Sequence, residues 1–171
     1  MHRLLSTCLI CLTMVGLVAA EAEAEAVAGD ATAAAGADAP SAIPATASSF
    51  GGHHYLVFDE VEDLSWQSAK LACEALGGHL AVITSKEEAE FINQLANGAY
   101  LFLGATDQEE EGTWVWIDGS EWSYTNWYPD QPNDYDDEDY LATYDEGEWV
   151  DVDASGDAFW MPTGYICEWD Q

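Results

Sequence analysis

Between Gly104 and Asp151 the chain carries side-chain oxygens at a density found nowhere else in it. Asp107 and Glu111 come first, then Asn126, Gln131, Asn133 and Asp134, then Glu138 and Asp139, and last Asp151. Carboxylates and amides gathered on loop-rich sequence are the donor set that a hard cation such as calcium takes, six to eight oxygens at a time. Trp114, Trp116, Trp127 and Trp149 punctuate the same run. Rigid aromatics of that kind can frame loops that have little regular structure of their own. The acidity is concentrated here: of 33 acidic residues in the 171-residue chain, 18 lie between Asp107 and Asp157. Only three basic residues oppose them, none after Lys86, and the formal net charge is −30. Phosphate backbones and anionic membranes would repel such a surface, so neither nucleic acid binding nor membrane insertion is expected. A solvated acidic surface accounts for many of these groups, but not for their clustering on the loops.

Catalysis finds little support. The chain has no nucleophile elbow, no phosphate-cradling glycine loop and no paired-histidine zinc helix. Paired carboxylates of the kind a glycosidase uses are abundant, yet abundance in so acidic a chain distinguishes nothing.

The elements that must position the oxygens follow from periodicity and punctuation. Residues 1–20 combine Arg3, an apolar run from Leu4 to Val18 and small residues before Glu21, the pattern of a secretory signal cleaved after Ala20. Secretion is therefore expected. Residues 21–49 are rich in Ala and Glu, with Gly36, Pro40 and Pro44 and no large apolar face, and are expected to form a flexible linker. The folded domain is expected over residues 50–171. Tyr55–Phe58 suits a strand. Ser65 caps a helix whose apolar face is Trp66, Ala69, Cys73 and Leu76, and Gly77–Gly78 stops it. His79–Ile83 suits a strand. Ser85 and Glu88 form a capping box for a second helix facing Ala89, Ile92 and Leu95. Short strands are expected at 100–104, 113–117, 140–144, 148–151 and 165–169. Helices followed by a strand-rich half make the class α+β.

Cys73 and Cys167 remain once the signal has carried away Cys8 and Cys11. In an oxidising compartment pairing is the default, with two free buried thiols as the alternative. A bridge closing about 95 residues would contribute on the order of 4 kcal/mol in the chain-entropy model.

Taken in order, Ser65-Trp66 to Cys73, Gly78-His79-Leu80-Ala81, Leu103-Gly104, Trp114-Val115-Trp116-Ile117-Asp118-Gly119, Asn126-Trp127, Gln131-Pro132-Asn133, Glu138-Asp139, Trp149-Val150-Asp151 and Tyr165-Ile166-Cys167-Glu168 resemble a C-type lectin-like domain over about residues 52–170. The resemblance implies a double-looped α+β fold: two helices, small antiparallel sheets, paired terminal strands and a long calcium-binding loop region. It implies a principal calcium and sugar site at Gln131, Asn133, Glu138 and Asp151. An auxiliary calcium site would use Asp107, Glu111, Asp134, Glu138 and Asp139. It also implies a cis Pro132.

The chain departs from the family pattern twice. Val150 stands where a second amide ligand is usual, with Asp136, Asp137 or the Val150 carbonyl as the substitutes on offer. An inner disulfide, whose cysteines would fall near Tyr140 and Ala154, is absent as a pair.

Gln131-Pro132-Asn133 mixes the family's mannose-type and galactose-type triplets. Tyr135 stands where galactose binders tend to place a ring, so the expectation leans to galactose-type sugars or glycoproteins, with mannose open. The alternative is a protein- or mineral-binding module with a structural calcium and no sugar. Trp66, Trp114, Trp116, Trp127 and Trp149 are expected in the core. Trp122 and Trp160 are expected to be free for binding. His53 and His54 are expected to be solvated, and His79 packed. Nothing resembles a coiled-coil stalk, so a monomer is expected.

Overall fold

In a computed structural model of the chain, residues 42–135, 137–155 and 162–170 are described. The signal region and most of the linker, together with Asp136 and Trp160, lie outside them.

The first strand, β1 (Ser48–Phe50), turns through Gly51–Gly52 into β2 (His53–Phe58). Both glycines have positive φ, +63° and +103°, the backbone that a tight two-residue hairpin requires. Ile43 and Ala47 also pack on the core. Ordered structure thus reaches into the stretch expected to be linker, because a Gly-Gly turn lays Ser48, Ser49 and Phe50 on the edge of β2 and Phe50 stacks on Phe91.

Helix α1 (Trp66–Ala75) is capped as expected: the Ser65 hydroxyl accepts from Ser68 N, and the Ser68 hydroxyl accepts from Ser65 N. Its buried face is Trp66, Ala69 and Cys73, and the Trp66 indole donates to the Leu103 carbonyl at 2.8 Å. Strand β3 is only His79–Leu80. Residues 81–83 are buried without continuing it, and Ala81 N and O bond instead to Ile166 O and Gly104 N.

Helix α2 (Lys86–Ala96) starts at Ser85, whose hydroxyl accepts from Glu88 N. Glu88 does not close the expected box on Ser85. Its carboxylate accepts from Thr84 N and from the Tyr55 hydroxyl, which draws it into the interior. The remaining strands are β4 (Leu101–Thr106), β5 (Val115–Trp116), β6 (Tyr140–Thr143), β7 (Trp149–Val152) and β8 (Gly164–Trp169), with a 3-10 turn at Asp145–Gly147.

The expected small sheets are joined into one, in the order β1-β2-β8-β4-β6-β7, with β3 on β8 and β5 on β4. All these pairings are antiparallel except β4 with β8. The first long strand and the last are paired, Leu56 opposite Cys167. Cys73 on α1 and Cys167 on β8 are both buried and within hydrogen-bond reach, which with burial pushes the Cys73 thiol pKa up. They are thiols in this structure, so the expected bridge is positioned but not closed.

Candidate cation and ligand site on the long loop

The aromatic frame comes first, because it holds the loop ends. Trp149 on β7 is fully buried and meets Trp116 and Trp127 edge-on at 5.8 and 6.0 Å. Trp122, expected to be free for binding, is instead half-buried, 4.8 Å from Trp116 and 6.0 Å from Trp114. Trp149 N donates to Asn126 O and Tyr128 N to Trp149 O, so the loop enters its polar stretch tied to β7.

Beyond the frame, β4 delivers Asp107 into a series of turns, Glu110 N donating to Asp107 O and Thr113 N to Glu110 O. Asp107 is 3% exposed; one carboxylate oxygen accepts from Gly112 N at 3.0 Å, and Oδ1 has no partner. Asp107 N donates to Asp139 O at 3.2 Å, which stitches the second acidic stretch to the first. Carboxylate oxygens of Asp107, Glu111 and Asp139 consequently lie within 4.8 Å of one another. Asp134 Oδ1 accepts from Glu138 N, and Glu138 Oε2 accepts from Tyr135 N. All five residues of the auxiliary set thus belong to one acidic neighbourhood, with Asp107, Glu111 and Asp139 in direct convergence.

Gln131, Asn133, Glu138 and Asp151 are brought together alongside. The Gln131–Pro132 bond is cis, as expected. Asn133 Nδ2 donates to Gln131 Oε1 at 2.8 Å. Asp151, 1% exposed on β7, organises the turn: its Oδ2 accepts from Asn133 N and Asp134 N, both at 2.7 Å. Its Oδ1, like that of Asp107, is buried without a partner. Tyr135 stands at the rim, 69% exposed.

Val150 contributes no side chain. It lies opposite Ala142 in a cluster with Tyr140, Val152 and Trp66, because alternation along β7 turns it away from Asp151. Of the substitutes expected for it, Asp136 is outside the described residues. Asp137 lines a cleft with Gln67, Asp139, Tyr140 and Asp153.

The electrostatics agree with the geometry. Burial is the main cause that raises Asp107, Asp139, Asp151 and Glu111, reinforced by neighbouring carboxylates. Burial, then the charge of Asp151, pushes Glu138 up to about 7. Asp153 adds to that push and was not singled out in the sequence. Its signal was the Asp151-Val152-Asp153 spacing, which puts a second carboxylate two residues on, just past the end of β7. A buried carboxylate oxygen without a donor costs desolvation energy that a bound cation offsets. Each such atom stands in a donor set that fits a hard divalent ion, Asp107 with Glu111 and Asp139, and Asp151 beside Glu138 and the Gln131–Asn133 amides.

A family model described as the lectin C-type domain matches residues 62–168. Human C-type lectin domain family 10 member A is 33% identical over 113 residues, covering 61% of this chain and 34% of that protein. The chain spans half or less of the length of the curated relatives it matches. The cow C-type carbohydrate-recognition domain of CD23, crystallised in the presence of GlcNAc2Man3 oligosaccharide, superposes with a TM-score of 0.66 at 30% identity, covering 75% of this chain and 96% of that one. A calcium-independent type II antifreeze protein gives the same TM-score at 26% identity, covering 75% and 94%.

Proposed function

The chain belongs to the C-type lectin domain family, and from that premise we propose that it is a secreted, monomeric, calcium-dependent carbohydrate-binding protein with a lean to galactose-type sugars. The family is one of binding domains and not of enzymes, in keeping with a sequence that lacks catalytic motifs. One observation carries the calcium reading: the buried, unpartnered oxygens of Asp107 and Asp151 on either side of the loop. Calcium would be held at Asp107, Glu111, Asp134, Glu138 and Asp139, and at Gln131, Asn133, Glu138 and Asp151. When bound, the ion supplies a polarising charge to which vicinal sugar hydroxyls can add as ligands. The chain's own residues do the rest: Gln131, Asn133 and Glu138 offer acceptors and donors for those hydroxyls, and Asp151 fixes the backbone that carries them. The ring of Tyr135 is exposed for stacking on the apolar face of galactose, a contact worth roughly 1 kcal/mol.

A second reading, a protein- or mineral-binding module with a structural ion, is favoured by Val150, which leaves the sugar site one ligand short. The antifreeze protein among the structural relatives is calcium-independent by its own description, so this fold does not oblige the ion.

Retention on immobilised galactose and mannose, in calcium and then in chelator, separates the readings. Elution from galactose by chelator supports the lectin. Flow-through on both, with calcium still raising the melting temperature, supports the structural module. No melting response to calcium would sink both ion assignments. No described helix is long and apolar enough to cross a membrane. Secretion is tested by sequencing the N-terminus of exported protein for a start at Glu21, and the monomer by light scattering.

A further inference from the structure

The pairing of β2, β8 and β3 gathers a second group of ligating atoms, separate from the long loop. Glu168 on β8 lies opposite Tyr55 on β2 and His79 on β3, and Asp170 follows two residues later, beside His53. Glu168 is 2% exposed; Oε2 accepts from Val82 N at 2.8 Å, and Oε1 lies 2.9 Å from His53 Nδ1. That same imidazole nitrogen is 2.8 Å from Asp170 Oδ1, and Asp170 Oδ2 is 3.4 Å from His79 Nε2.

The second ring's tautomer follows from its other nitrogen. His79 Nδ1 sits 2.9 Å from the Leu80 carbonyl, which can only accept, so Nδ1 carries the hydrogen. In the neutral ring the Nε2 lone pair then faces a carboxylate, a contact satisfied by a second proton on the ring or by a cation in front of Asp170. A single His53 nitrogen facing two carboxylates has the same deficit, since one N–H cannot serve both fully. Lysine does not supply the charge: the two lysines among the described residues pair with Glu74 and Glu90 on the helices.

From these contacts we infer a divalent transition-metal site of the zinc class, with His53 Nδ1, Glu168 and Asp170, whose ligating atoms converge within 4.8 Å, as ligands and solvent in the fourth position. Oxygen-only ions such as calcium do not favour an imidazole, whereas zinc takes mixed nitrogen and carboxylate sets. The His53 contacts of 2.9 Å to Glu168 and 2.8 Å to Asp170 approach the roughly 3.3 Å edge of a tetrahedron with bonds of about 2.0 Å. Two of the ligands, His53 and Glu168, stand on paired strands, which limits how far they can relax, and His79, oriented by the Leu80 carbonyl, faces the other oxygen of Asp170 from outside the ligand set. The site needs none of the long-loop residues, so it stands or falls apart from sugar binding.

Cobalt(II) is the discriminating probe, because four-coordinate cobalt gives intense visible bands and carboxylate-bound aqueous cobalt gives weak ones. The full chain, saturated with calcium, is titrated with cobalt and then with zinc. Intense bands saturating at one equivalent, bleached by one equivalent of zinc and lost in the His53→Gln/Asp170→Asn double variant, are expected; each single variant should weaken affinity at least tenfold, and His79→Gln by less. His53, His79 and Asp170 are partly or largely exposed, so the variants should keep a cooperative melting transition. Weak bands alone, bands that survive in the double variant, or cobalt displaced by excess calcium would each overturn the site and leave only protonated histidines in ion pairs.

Discussion

Asp151 does two jobs with one carboxylate, and they can be separated. Oδ2 holds the backbone of Asn133 and Asp134, while Oδ1 is buried with nothing to bind. Asp151→Asn keeps an acceptor for the two N–H groups and removes the charge. In chelator the melting temperature of this variant should equal or exceed that of the wild type, because an uncompensated buried charge has gone. In calcium the order should reverse. An ion at a hundredfold its dissociation constant stabilises by about 2.7 kcal/mol, and the variant should lose most of that increment. Equal calcium responses in the two proteins would remove Asp151 from the ion site.

Glu138 carries the pH dependence of the same cluster. Its folded pKa is raised to about 7, so between its unfolded value and 7 the native state keeps a proton that the unfolded chain has released. Glu168 and Asp107 are shifted in the same direction. The contribution of Glu138 and Glu168 is therefore fully present at low pH and is lost as pH rises through 7, and that of Asp107 changes in the same sense. The metal-free protein should melt lower at pH 7.5 than at pH 5, and calcium should close most of that gap. A melting temperature that is flat or rises over this range in chelator would contradict the burial assigned to Glu138.

At the scale of elements, the close approach of the start of β8 to the end of β2 depends on a residue without a side chain. A Cβ on Gly164 would sit 2.0 Å from the Phe58 carbonyl, a clash with backbone that no rotamer relieves. Gly164→Ala should therefore cost about 3 kcal/mol or prevent folding, as measured by denaturant unfolding. A loss under about 0.5 kcal/mol would mean that β2 and β8 can separate freely there. This glycine was not legible in the sequence, where the last strand was expected to begin only at Tyr165. The helices were legible, because α1 and α2 announce themselves by an apolar period and a serine cap. Strand β1 was not, because Ser48-Ser49-Phe50 has no pattern of its own and exists through the Gly51–Gly52 turn. The long loop showed its chemistry in its composition, but which oxygens are orphaned depends on turns that bring Asp107 to Asp139. His53 was expected to be solvated from its place beside the linker. Strand register, invisible in one sequence, sets it against Glu168 and Asp170.

Over the whole molecule, the net charge of −30 makes stability a function of the medium. Self-repulsion works against the compact state, and monovalent salt screens it, with a Debye length of about 10 Å at 0.1 M and about 3 Å at 1 M. In chelator, the melting temperature should rise steadily with sodium chloride. Calcium should respond in the opposite sense, because the same screening weakens the attraction of the acidic loop for a divalent ion. The calcium-induced increment in melting temperature should therefore shrink as salt increases, even while the absolute temperature climbs. The two trends come from different parts of the charge distribution, one spread over the surface and one concentrated between Asp107 and Asp151. A calcium increment that is independent of salt would place the ion's stabilisation in the geometry of the partly buried ligands alone. A metal-free melting temperature that is also independent of salt would mean that the native state carries its carboxylates at no cost, as happens when their pKa values have shifted enough for many to be protonated. Melting curves at pH 5 and 7.5 distinguish that case, since neutralised carboxylates would restore the salt response once the pH carries them above their raised pKa values.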